Sequence, residues 1–151
     1  MTRVSSRLVT DRGPLAVEVR LPAPGEPLSE NRATGNGRGA AMRRYRLLDP
    51  WKALGLVAGR LLIPTWREHH PEPTPVTVLA TLAFRANRRR DPHNYVGTNV
   101  KALVDGLVRA GLIPDDNPEW ATILEPHLVV ISPPNRLECL VEIRPREDHQ
   151  P

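Results

Sequence analysis

A chain of 151 residues is long enough for one ordinary hydrophobic core and too short for two, so residues 1 to 151 are read as a single domain. No apolar run approaches the roughly 20 residues of a membrane span, and residues 1–13 lack the apolar segment of a secretory signal, so no membrane contact and a cytoplasmic location are expected. The 21 Lys and Arg outweigh the 17 Asp and Glu, giving a net charge of +4, a balance that suits a polyanionic partner. Only Lys52 and Lys101 are lysines, however, and abundant Arg, Pro and Ala are also what a GC-rich genome encodes. Charge alone leaves both readings open.

In chain order, residues 14–21 alternate Leu15, Val17, Val19 and Leu21 with more polar neighbours, the period of a half-buried strand after a short disordered start. Residues 22–46 shift to Pro, Gly, Asn and Arg, too poor in apolar surface to order themselves. This segment reads as a mobile basic loop whose Arg43, Arg44 and Arg46 suit phosphate contact, or as a solvated linker. Asp49, Pro50 and Trp51 then look like a helix start, with an N-cap carboxylate and proline in the first turn, and the helix is expected to end near Pro64. Gly55 and Gly59 weaken that helix by roughly 1 kcal/mol each unless a close neighbour uses their missing side chains. Glu68, His69, His70 and Glu72 sit in a Pro-rich stretch that reads as an exposed linker rather than a metal site.

Residues 75–84, PVTVLATLAF, are apolar on both faces and read as a buried central strand. After the charged residues 85–90, Val96, Val100, Leu103, Val104 and Leu107 share one helical face, and Gly111 suits the C-terminal cap. Strands are expected at 127–132 and 136–144, joined as a hairpin through residues 132–135, with a frayed tail from about residue 145. Cys139, the single cysteine, falls within the last alternation and reads as a core residue; no disulfide framework or multi-thiolate zinc site is possible. The sum is an α+β fold, a small mixed β-sheet of about four strands packed against two main helices. No Gly-rich phosphate loop is present, so no nucleotide cofactor is expected.

The chemistry-bearing residues flank the second helix. Asp91 precedes it, Asp115 and Asp116 follow it, and Lys101 lies one turn before Asp105 on it. Each acid also has a plain structural role, Asp91 as a cap, Asp115 and Asp116 as turn formers, and Asp105 as a partner of Lys101 or Arg109. Two or three carboxylates with waters and a phosphate suffice for magnesium.

The order Arg89, Arg90, Asp91, His93, Asn94, Lys101, Asp105, Gly106, Leu107, Gly111, Asp115, Asp116 resembles the RusA family of crossover junction endodeoxyribonucleases, found in phages and prophages. Residues 88–119 carry the resemblance, and Leu28, Ser29 and Asn31 extend it loosely to the family's first loop. The resemblance implies catalytic roles for Asp91, Asp116 and Lys101, and a metal set drawn from Asp91, His93, Asp115 and Asp116. It further implies DNA contacts from Arg43, Arg44, Arg46, Arg88, Arg89 and Arg90, magnesium as cofactor, and a homodimer acting on branched DNA in recombination or repair. The chain departs from the family in having His93 where a second Asp is usual, and imidazole favours softer ions, so manganese is an alternative. The interval to Lys101 is also about one turn longer, which keeps the lysine on the same helix face. The alternative expectation is a DNA-binding or structural protein on the same scaffold without catalysis.

Overall fold

Nine consecutive residues able to bury both faces make Val76–Phe84 the strand around which the rest assembles; all but Thr81 are buried. The computed structural model describes residues 5–9, 16–30 and 39–147. We label the strands β1 (Ser5–Val9), β2 (Ala16–Pro22), β3 (Val76–Phe84), β4 (Ala121–Ile123), β5 (His127–Val130) and β6 (Glu138–Pro145), and the helices α1 (Ala40–His69) and α2 (Lys101–Ala110). Among the described residues these six strands form one mixed sheet in the order β1-β2-β6-β3-β4, with β5 continuing beyond β4 along the same edge of β3. β2 and β3 each pair antiparallel with β6, so they run parallel to one another with β6 inserted between them. β4 and β5 are parallel to β3, as a crossover through α2 requires. The α+β expectation of a mixed sheet covered by two helices is met.

Alternation sets the buried face. Val17, Val19 and Leu21 of β2, Cys139, Val141 and Ile143 of β6, and Val76, Val78, Ala80, Leu82 and Phe84 of β3 join one cluster with Trp51, Ala58, Leu62 and Trp66 of α1 and Leu103, Val104 and Leu107 of α2. Cys139 is the core residue expected, and burial pushes its thiol up to about 12.

Several expectations are corrected. Residues 5–9 form a strand on β2 rather than part of a disordered start. Residues 23–30 are tied down: Leu28 N donates to Asn99 Oδ1 (2.9 Å), and Thr98 Oγ1 donates to Leu28 O (2.6 Å). Residues 31–38, including Asn31, lie outside the described residues. Arg43, Arg44 and Arg46 belong to a helix, not a loop, because α1 begins at Ala40 and continues through both Pro50 and Pro64 to His69. Both prolines are exposed; on the solvent side of a helix, carbonyls tilt outward and bond to water, which lowers the cost of a missing N–H. Asp49 is therefore an interior residue and not a cap. His69 closes this helix instead of lying in extended chain, and the His70 ring stacks on Trp66 at 4.1 Å between centroids.

The expected hairpin is absent. β6 occupies one edge of β3 and β5 the other, so the two strands around residues 132–135 are separated by β3 itself. The tail is ordered further than expected, since Pro145 ends β6 and Arg146 donates to Glu119 O (3.1 Å) and to Pro118 O. Gly55 and Gly59 do mark a close crossing. A Cβ on Gly55 would lie 2.9 Å from Leu103 Cα, and one on Gly106 2.6 Å from Gly55 C, so α1 and α2 touch backbone to backbone. Among the described residues, no helix is long and apolar enough to cross a membrane.

Candidate functional site

α2 is the element that gathers the charged residues. Its C-terminus closes as expected: Gly111 takes φ 89°, its N–H bonds Val108 O (3.0 Å), and Leu112 N–H bonds Leu107 O (3.2 Å), the paired bonds of a left-handed glycine cap. Leu112 and Ile113 then bury, which turns the chain back along the helix. Asp115 holds the following turn, accepting from its neighbour's N–H at Asp116 (2.7 Å) and from Asn117 Nδ2 (3.1 Å). Asn117 Oδ1 in turn accepts from Glu119 N (3.0 Å).

That doubling back delivers Asp116 to Lys101. The Lys101 ammonium bonds Asp105 Oδ1 at 2.8 Å, one turn along α2, and Asp116 Oδ2 from the turn beyond it. The side chains are 45% exposed for Lys101 and 33% for Asp116, so this is a site at the surface. Partial burial draws the Lys101 pKa down, but hydrogen bonds and charge from Asp105 and Asp116 outweigh it and hold the group above its ordinary value of 10.5. Asp116 is held below 3.8, chiefly by the hydrogen bond from Lys101 and then by its charge. Beside this cluster, a cleft of about 250 Å³ opens between the first half of α1 and the start of α2, lined by Arg44, Lys52, Lys101 and Asp105 among others.

Asp91 and His93 sit elsewhere, in a 3-10 turn (Pro92–Tyr95) that leads through a π-helical turn (Val96–Val100) into α2. Asp91 Oδ1 accepts from His93 N at 3.0 Å, capping that turn. The exposed His93 imidazole lies 3.6 Å from Glu125 of the β4–β5 connection. Among the described residues, no three His, Cys, Asp or Glu side chains are grouped to hold a metal ion. Asp105 and Asp116 do aim two carboxylate oxygens at one point, the Lys101 ammonium, and magnesium is commonly bound by one or two carboxylates with waters and phosphate.

The arginines divide by partner. Arg43, Arg46, Arg88 and Arg89 are exposed. Arg44 donates to Gly97 O (3.1 Å), tying α1 to the π-helical turn. Arg90 stacks over the Phe84 ring at 3.9 Å and donates to Ala86 O (2.8 Å), so its side chain shapes the 85–90 bend. The residues missed in the sequence are Thr98 and Asn99, both fully buried, which join the 23–30 segment to the base of α2. Neither lies on the apolar face formed by Val96, Val100, Leu103, Val104 and Leu107, so helical periodicity gave no signal for their burial. No family model and no curated protein matches the chain.

Proposed function

We propose that this chain is a divalent-metal-dependent endodeoxyribonuclease acting on branched DNA, resembling the RusA family in its order of site residues. One observation carries the reading: Lys101 is clasped by Asp105 and Asp116, brought from two elements to the edge of a cleft lined by Arg44 and Lys52. Asp116 stays ionised to low pH, so it is an oxygen donor throughout the neutral range, and Asp105 faces the same point. A magnesium or manganese ion held by these two residues would displace the Lys101 ammonium from between them; of the further ligands the resemblance implies, Asp115 adjoins Asp116, while Asp91 and His93 lie in the turn before α2. A bound ion would lower the pKa of an attacking water and neutralise phosphodiester oxygens. Lys101, permanently protonated at neutral pH, supplies a cation to orient the scissile phosphate, and the exposed Arg43, Arg46, Arg88 and Arg89 add sequence-independent phosphate contacts that weaken with salt. As a homodimer, the protein would present two such sites across a two-fold-related junction.

A second reading is favoured by a specific observation. Asp91 and Asp115 both spend carboxylate oxygens on their own turns, as they would in a DNA-binding protein without catalysis. A labelled four-way junction incubated with magnesium, manganese or EDTA separates the two. Paired metal-dependent nicks that Asp116→Asn abolishes support the nuclease, whereas tight junction binding with no cut in either metal supports the binding protein.

A further inference from the structure

Helix α1 buries one face through Trp51, Gly55, Ala58, Gly59, Leu62 and Trp66. A second apolar stripe runs down its outside: Leu47, Pro50, Leu54, Val57, Leu61 and Pro64, spaced alternately three and four residues apart. Leu47, Val57 and Leu61 are 56%, 45% and 39% exposed, both prolines are exposed, and Leu54 is half-buried. This is a heptad seam, and a helix needs only one apolar face to fold against its own domain. The seam lies roughly 130° to 170° around the helix from Gly55 and Gly59, at 100° per residue. Those glycines touch α2, so the seam lies on the flank of α1 away from α2, and among the described residues Leu47, Val57 and Leu61 stay exposed there.

The same spacing continues to an exposed charge at each end, Arg43 before Leu47 and Glu68 after Pro64. We propose that the seam is a self-complementary surface on which a second copy of this chain docks, α1 antiparallel to α1, about a two-fold axis between Leu54 and Val57. In that register Leu54 meets the partner's Val57, Pro50 meets the partner's Leu61, and Leu47 meets the partner's Pro64. Arg43 then faces the partner's Glu68 at both ends, giving two opposite-charge pairs by symmetry. A parallel pairing would set Arg43 against the partner's Arg43 and Glu68 against the partner's Glu68, so the end charges select the antiparallel order.

From Arg43 to Glu68 the seam with its end charges is about 37 Å long at 1.5 Å per residue. At about 10 Å width, the paired seams bury about 700 Å² in total, below a standard interface, so the dimer is expected to exchange with monomer. The inference gives the dimer of the nuclease reading a surface; it rests on that reading for its purpose but not for its evidence.

Sedimentation of the DNA-free chain from low micromolar to several hundred micromolar tests it. A concentration-dependent dimer is expected, weakened roughly tenfold or more by Val57→Arg. Glu68→Arg alone and Arg43→Glu alone should each weaken it about tenfold, and the two together should restore it. All of these are exposed positions, and circular dichroism confirms that each variant is folded. A chain that stays monomeric throughout, or a dimer indifferent to Val57→Arg and to the charge swap, overturns the proposal. A dimer indifferent to these variants leaves the dimeric nuclease reading standing, and junction nicking, scored separately, tests that reading.

Discussion

The two acidic turns that bracket α2 use the same residue type for opposite ends. At Asp91 the carboxylate folds back on its own backbone, accepting from His93 N within a 3-10 turn. At Asp115 and Asp116 the tasks are divided, with Asp115 fastening the turn and Asp116 left to reach across to Lys101. A pair of adjacent aspartates can therefore do what a single one cannot, satisfying the local backbone while presenting a carboxylate to another element. Both turns depend on α2 lying where it does, and that depends on the glycine crossing beneath it.

The largest expected effect removes this shared frame. Gly106→Ala places a methyl group against the backbone of Lys52 and Leu56, where no side chain can move aside. A loss of about 3 kcal/mol in urea unfolding is expected, and a neutral result would mean that the helices separate cheaply. Next, Lys101→Met strips the cation from the second turn only. On the nuclease reading, junction cutting should fall about a hundredfold or more, and the Asp116 carboxyl should rise toward its ordinary range by NMR titration.

Asp91 sharpens the contrast because its two readings part company. Asp91→Ala should cost about 1 kcal/mol as a lost cap, whereas Asp91→Asn keeps the cap within a few tenths. Metal-dependent cutting by Asp91→Asn that matches the unmodified chain would remove this residue from the catalytic set. The smallest effect is the pH dependence of the Lys101–Asp116 pair. Asp116 is depressed below 3.8, so its contribution is present above that pH and fades as pH falls through its folded value; Lys101 is raised above 10.5, so its contribution is present below that pH and fades as pH rises further. Surface exposure limits the pair to roughly 0.5 kcal/mol, read as a flatter acid limb of stability in Asp116→Asn.

Much of this arrangement was legible from residue order. β3 could be read from its run of apolar residues, α2 from its single apolar face, and the end of α2 from Gly111. The Gly55 and Gly59 spacing also identified a packing surface. What could not be read was which strand neighbours which: the alternation in 127–132 and 136–144 indicates strands but carries no information about partners, and β3 had two edges to offer. β4 escaped because a strand of 3 residues has no measurable period. The first half of α1 escaped because Pro50 looks like a beginning, whereas its exposed position lets the helix pass through it. At the site, Lys101 with Asp105 followed from one-turn spacing, but the approach of Asp116 needed the buried Leu112 and Ile113 to turn the chain back.

The lone thiol offers a way to watch the whole assembly open. Cys139 lies on the strand shared by β2 and β3, fully buried and protonated at any physiological pH, so a thiol reagent has no access while the sheet is intact. With one cysteine in the chain, labelling can report nothing else. Its rate, under conditions where closing outpaces reaction, converts directly into the free energy of opening the sheet's centre. The unmodified protein thus contains its own stability gauge, free of added probes, against which every substitution at the α1–α2 crossing can be ranked.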